Sequence, residues 1–282
     1  MQPLPRIPGY ELFARLGGSL LTSVYSARDR KTGAARAVKL LNRDWQEDPT
    51  AVKLLQREAR ACLAVEHPHL VKLLDVQVTK APFFLVMEML GGESLRSRLR
   101  RDYRLEVPTA VWIARQTAEA LAALHRAGFV HGDVKPDNIR LVEDGRTILL
   151  DLGFAHRPGE NAPLLDKGYV LGTVNYLAPE LCGAAPQDTL ASDLFSLGVT
   201  LFEMLSGQMP YLPGSIDQTF RRHEAEAPAD IRKHVANPLL PGLPRLIERL
   251  LARGPEDRPR VQAVVQQLIA LEIATISKRR TA

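Results

Sequence analysis

Residues 131–138 read His131-Gly132-Asp133-Val134-Lys135-Pro136-Asp137-Asn138, and the apolar run Ile148-Leu149-Leu150 further on ends at Asp151-Leu152-Gly153. A lone Asp in a turn usually serves to cap backbone N–H groups. Here an ammonium and a carboxamide follow Asp133 at the spacing Asp-x-Lys-x-x-Asn, and a second carboxylate stands at the end of a strand. An acid, a fixed cation and two further oxygen ligands in two short loops read as a site rather than as capping. Short strands at Ile139 to Val142 and Thr147 to Leu150 flank Asp144-Gly145, a hairpin turn signal that sets the two loops side by side.

Outward from this hairpin the chain changes character. Pro108 to Ala127 is a long helical pattern closed by Gly128, as a C-terminal glycine cap would close it. Beyond Ala191 the spacing predicts helices at Leu194 to Leu205, Pro244 to Ala252 and Val261 to Ile276. Upstream, Tyr10 to Leu16 alternates and stops at Gly17-Gly18, Ser23 to Ala27 returns, Lys31-Thr32-Gly33 turns, and Ala35 to Leu41 makes a third strand. Ala51 to Val65 has helical spacing, with Val52, Leu55, Ala59 and Leu63 on one face, and His67-Pro68 ends it. Apolar runs at Leu70 to Val76 and Phe83 to Leu90 follow. The pattern predicts an α+β fold in two lobes divided at Gly91-Gly92, a small β-rich lobe with one helix and a larger, mainly helical one.

The chain has 282 residues, 45% apolar and 24% charged, enough to bury a core without staples. Cys62 and Cys182 are too few for a disulfide framework or a Cys-rich zinc site, which points to a reducing, cytoplasmic setting. No apolar run approaches the ~20 residues that span a bilayer, and Met1 to Arg6 has no apolar stretch of a signal peptide. The net charge of +5 is too modest to argue for nucleic acid as a partner. The histidines show no metal-ligand spacing.

At the two loops the chain resembles the eukaryotic-type serine/threonine protein kinase family, and its short connections are similar to those of the bacterial, Hanks-type members. The family patterns are H-R-D-x-K-P-x-N and D-F-G. The resemblance runs in order over about residues 10–272, which implies a bilobal kinase fold with an N-lobe at 10–90 and a C-lobe at 91–272. Residues 1–9 then form an N-terminal extension and 273–282 a basic tail containing Lys278-Arg279-Arg280. The implied reaction is transfer of the ATP γ-phosphoryl group, with Mg²⁺ or alternatively Mn²⁺, to a Ser or Thr hydroxyl of a protein substrate. Such transfer depends on positioned charge more than on covalent chemistry. Asp133 would be the base that takes the hydroxyl proton, and Lys135 would offset charge on the moving phosphoryl. Asn138 and Asp151 would supply oxygen ligands to the metal ion.

The same resemblance assigns the nucleotide site. Ala37-Val38-Lys39 is similar to the family's A-x-K, so Lys39 would hold the α- and β-phosphates with Glu58 as its partner. Leu16 and Gly17 would open the loop that covers the phosphates. Val24 and Ala37 would roof the adenine, Met87 would stand at the back wall, and backbone groups of Glu88 and Leu90 would bond the base. Gly172 to Glu180 resembles G-T-x-x-Y-x-A-P-E, a platform for a peptide substrate. Thr173 would brace Asp133 and Lys135, a combination similar to the serine/threonine branch rather than the tyrosine branch. Glu180 would pair with Arg258, Asp193 would bond the backbone of the loop at 131–138, and His131 would pack behind that loop.

Four positions depart from the family pattern. Ser19 and Thr22 replace the second and third glycines of G-x-G-x-x-G, where glycine allows close backbone approach to phosphate. Gly132 replaces the Arg that normally pairs with a phosphate on the activation segment, and Phe154 to Gly172 contains no Ser or Thr, leaving Tyr169 as the one side chain there that could be phosphorylated. Leu152 replaces Phe, and Arg140 stands where an apolar residue usually underlies adenine; its stem could pack on the ring while its head reaches water, or it could lower ATP affinity. The expectation is an active kinase not switched by activation-segment phosphorylation. The alternative is a pseudokinase, a binding or scaffold module with a weakened nucleotide site. A homodimer is left open. The run Arg96 to Arg104 holds five arginines and reads as a solvated helix face ahead of a docking patch.

Overall fold

The computed structural model describes residues 4–183, 186–235 and 238–280, with side chains through Thr275. Met1-Gln2-Pro3 of the expected extension and Thr281-Ala282 of the expected tail lie outside the described residues, as do the side chains of Lys278, Arg279 and Arg280. Strands β1 (Tyr10–Gly18), β2 (Thr22–Asp29), β3 (Ala35–Leu41), β4 (Leu73–Gln77) and β5 (Phe84–Glu88) form one antiparallel sheet in the order β1-β2-β3-β5-β4. Helix α1 (Pro49–Ala64) links β3 to β4. It starts where the Asp48 carboxylate accepts from Ala51 N at 2.7 Å and Pro49 occupies the first turn.

Alternation along β3 and β5 decides which side chains reach the cleft. Val38, Leu40, Phe84 and Val86 pack on one face with Ile7, Leu12 and Ala27. Leu41 and Leu85 point to the other face, against Ala51, Leu55 and Ala59 of α1. Period two puts Ala37, Lys39 and Met87 on that second face as well, with Ala37 opposite Met87 and Lys39 opposite Leu85. The face of α1 differs from the expectation at one position: Leu63 is 68% exposed, while Ala61 and the charged Glu58 are buried. The inner side of α1 is apolar over the sheet and polar over the cleft.

The larger lobe holds β6 (Glu93–Ser94), α2 (Leu95–Asp102), α3 (Val107–Arg126), β7 (Ile139–Leu141), β8 (Thr147–Leu149), α4 (Ala162–Leu165), α5 (Leu190–Ser206), α6 (Ile216–Ala225), α7 (Leu243–Leu250) and α8 (Val261–Arg280). Helix α5 is buried on all sides, Leu194, Phe195, Leu197, Val199, Leu201 and Phe202 included, as its continuous apolar sequence requires. It packs with α3, α7 and α8 in the main apolar core. Helix α6 falls where no apolar period exists, because only Thr219 and His223 of it are buried; it is started instead by the reciprocal Ser215–Gln218 capping box. Among the described residues no helix is long and apolar enough to cross a membrane.

Candidate active site

The sequence-predicted residues gather in two charged clusters. In the first, Lys39 Nζ lies 2.7 Å from a Glu58 carboxylate oxygen and 2.6 Å from Asp151 Oδ1. Strand alternation delivers Lys39, one turn of α1 delivers Glu58, and Asp151 is delivered by its own backbone, at φ 58 and ψ 79 directly after β8. Glycine at 153 is needed for this convergence: a Cβ there would meet Asp151 Oδ1 at 2.9 Å and Lys39 Nζ at 3.2 Å. Burial works against the Lys39 charge, but the Asp151 and Glu58 carboxylates outweigh it and hold the ammonium above its ordinary range. Burial alone would raise Asp151; the Lys39 ammonium reverses that and keeps it down at about 2. Glu58 moves up instead, because its burial outweighs the share of Lys39 it receives. The trio carries a net charge of −1, a setting that favours a further cation.

The second cluster centres on Asp133, which is 4% exposed. Its Oδ1 accepts from Thr173 Oγ1 at 2.7 Å, and its Oδ2 accepts from Asn138 Nδ2 at 2.9 Å and lies 2.7 Å from Lys135 Nζ. Lys135 Nζ also donates to Thr173 Oγ1 at 2.5 Å. The Asn138 amide gives its other hydrogen to the Asp133 carbonyl at 2.9 Å. Both Nδ2 hydrogens are therefore spent, which leaves Asn138 Oδ1 as the oxygen with no bond among the described residues.

The loop that carries Asp133 is fastened from below. Buried Asp193 accepts from His131 N at 2.8 Å, from Gly132 N at 2.9 Å and lies 2.9 Å from His125 Nε2. His131 is fully buried with its ring on the Leu150 carbonyl at 3.1 Å. Gly132 sits at φ 79, where a Cβ would come within 2.9 Å of the Phe154 carbonyl. As expected from the motif, Arg258 Nη2 pairs with Glu180 Oε2 at 2.6 Å.

Among the residues expected to hold a nucleotide, Ala37, Met87 and Leu90 join Val71 and Ile148 in one apolar cluster with Val142 and Leu150. Val24 faces Lys39 across the β2–β3 ladder and Gly17 faces Val24 across β1–β2. Leu16 is 52% exposed beside them. Glu88 is the last residue of β5, and Leu90 lies beyond it. Arg140 is partly exposed and bonded to the chain: its Nε donates to the Gly91 carbonyl at 2.9 Å and its Nη2 to the Leu90 carbonyl at 3.4 Å. The turn at 18–22 is closed on itself, with Ser19 Oγ accepting from Leu21 N and Thr22 N, each at 3.2 Å.

Several pairings were invisible to sequence spacing. Arg96, expected on a solvated face, bonds Glu203 Oε1 at 2.5 Å, Tyr176 Oη at 2.5 Å and Asp137 Oδ2 at 3.1 Å. Arg98 pairs with Asp102, and Arg101 with Glu93 and Asp102, so much of the arginine run is neutralised within the lobe. His156 Nε2 lies 2.6 Å from Asp188 Oδ2, both side chains being 6% exposed. Burial opposes the charge on each; Asp188 raises the imidazole above its ordinary value, and the imidazole lowers the carboxyl. A raised histidine contributes stability that is complete below the unfolded value of ~6.5 and is lost as pH climbs through the folded value. The stability difference between wild type and His156→Gln, from urea midpoints, should therefore shrink as pH rises from about 6 to 9. A difference that holds constant or grows with pH contradicts the pairing.

Comparison with known proteins bears on this geometry. The protein kinase domain family model matches residues 10–269. The chain is 34% identical over 263 residues to the serine/threonine-protein kinase PknA of Mycobacterium tuberculosis, covering 89% of this chain and 58% of that protein. It is 32% identical over 252 residues to PknD of the same organism, covering 88% of this chain and 37% of that protein. The chain thus spans well under two thirds of the length of these relatives.

Proposed function

The chain belongs to the protein kinase family, and from that premise we propose that it transfers the γ-phosphoryl group of ATP, with a divalent cation, to a Ser or Thr hydroxyl on a protein. The observation that carries this reading is the junction at Asp133. One carboxylate is oriented by Thr173 and Asn138 and sits beside the Lys135 ammonium, with nothing apolar between them. Asp133 would receive the acceptor hydroxyl and its proton, and Lys135 would lie against the transferring group. Lys39, held by Glu58, would grip the nucleotide phosphates under the loop that starts at Leu16 and Gly17. The adenine would lie among Val24, Ala37 and Met87, bonded by backbone groups of Glu88 and Leu90.

The residues present fit Mg²⁺. Among the described residues no cluster of three or more His, Cys, Asp or Glu side chains could hold a metal alone. Asp151 and the free Oδ1 of Asn138 match the habit of Mg²⁺ of binding one or two protein oxygens plus substrate phosphates. Bound there, the ion would neutralise phosphate charge. Mn²⁺ would suit the same oxygens. We read the setting as cytoplasmic and reducing; burial pushes both free thiols, Cys62 and Cys182, up to about 12, where they are inert. With Gly132 in place of Arg and no Ser or Thr from Phe154 to Gly172, activity would not depend on phosphorylation of that segment.

The test is transfer of labelled γ-phosphate to the chain itself and to a generic protein substrate. Lys39→Met should lower the rate by about 10²–10³-fold, the loss of one fixed electrostatic contact to the reacting phosphates. A nucleotide-binding scaffold is the second reading, favoured by the Ser19 hydroxyl occupying two loop N–H groups that would otherwise face phosphate. A nucleotide-induced rise in melting temperature with no transfer by wild type would establish it.

A further inference from the structure

The segment after Asp151 is docked on α1 by a carboxylate. The turn Arg157-Pro158-Gly159-Glu160 closes with Glu160 N donating to the Arg157 carbonyl at 3.0 Å, with Pro158 in second place and Gly159 at φ 80, as a type II turn requires. This turn aims Glu160 at two arginines of α1. Arg60 Nη2 donates to Glu160 Oε1 at 2.7 Å and Oε2 at 2.6 Å, and Arg57 Nε lies 3.2 Å from Oε1. Arg57 also donates to the Glu160 carbonyl and to the side chain of buried Asn161, each at 3.1 Å. Arg60 and Arg157 both lie over the ring of buried Phe129, at 5.7 and 5.2 Å. Arg57 immediately precedes Glu58, the partner of Lys39.

We infer that Glu160 is a positioning residue: a built-in carboxylate that holds α1, and with it Glu58 and Lys39, in the competent place without any phosphate on the segment. An exposed ion pair contributes little alone. This one differs, because one carboxylate receives two guanidinium groups, the Arg57 side chain is only 12% exposed, and the pair joins two elements about a hundred residues apart in sequence, 57 against 160. Two guanidinium groups meet a single carboxylate, so a more highly charged anion at position 160 would also be accepted. The inference rests on the kinase reading above and supplies the device that reading lacks, namely what replaces an activating phosphate.

The experiment uses the whole chain. Glu160→Gln keeps the shape and removes the charge; it should lower kcat about 10- to 100-fold, as loss of charge-assisted hydrogen bonds predicts, with KM for ATP within about threefold and the melting temperature nearly unchanged. Glu160→Ser should lose as much, and phosphoserine placed at that position by expanded-code translation should restore kcat to within about threefold of wild type. A merely structural glutamate would not respond to that rescue. If wild type transfers phosphate and Glu160→Gln matches it within about twofold, or phosphoserine does not rescue, the inference is overturned and the kinase reading stands. If wild type transfers nothing, the kinase reading fails, and amide exchange decides on the clamp: faster exchange confined to α1 in Glu160→Gln supports it, and unchanged α1 exchange overturns it.

Discussion

Asp133→Asn should lower phosphoryl transfer by about 10²–10⁴-fold, the usual contribution of a positioned base, while nucleotide affinity stays within about threefold of wild type. The variant is informative because the site can accommodate its shape. An asparagine can keep its oxygen toward Lys135 and Asn138, where Oδ2 now sits, and turn its amide toward Thr173. The Thr173 hydroxyl, which now donates to Oδ1, can then accept instead. Packing and the hydrogen-bond count survive, while the ability to take a proton and the negative charge beside Lys135 are lost. Single-turnover transfer measured beside nucleotide titration separates the two. A rate within about tenfold of wild type would remove Asp133 from the role of base.

The second large effect is on stability. Arg258 is wholly buried, and each of its N–H groups has a partner: Glu180 Oε1 at 2.7 Å, Glu180 Oε2 at 2.6 Å, and the carbonyls of Ala252, Ala191 and Arg253 at 2.9, 3.0 and 2.9 Å. The guanidinium also lies 5.2 Å from the Phe195 ring centroid. Glu180→Ala removes the counter-charge and strands that guanidinium in the core. Breaking one side of such a pair costs about 3–5 kcal/mol, which lowers the melting temperature by roughly 10 °C in a domain of this size. The double variant Glu180→Ala/Arg258→Met should lose less than the sum of the two single changes, because no unpaired charge remains. Thermal unfolding of the three variants measures this; a loss under about 1 kcal/mol for Glu180→Ala would mean that solvent reaches Arg258.

Much of the site lies in short stretches whose local geometry places their own side chains. Asp133, Lys135 and Asn138 fall within one loop, so their spacing alone brings them together, and Thr173 was legible once its motif was read beside them. The Ala35–Leu41 strand was legible in its period of two, which also put Lys39 on the face of Ala37. The helix α1 was legible in its period, but the place of Leu63 was not. A helical wheel ranks residues by hydropathy, while the cleft rewards Glu58 on the inner face because Lys39 neutralises it.

By itself the sequence determined the two-lobed α+β division, the residue types of the site, and the absence of an arginine at 132 and of Ser and Thr along 154–172, because these depend on composition, local period and spacing. Only the tertiary structure decided what replaces the missing contacts. It brought Glu160 to Arg57 and Arg60, Arg96 to Glu203 and Tyr176, His156 to Asp188, and Arg140 to the carbonyls of Leu90 and Gly91. Each of these partnerships spans tens of residues or more. No local propensity encodes them, since a charged side chain far along the chain finds its partner only after the core has packed and burial has made an unpaired charge costly.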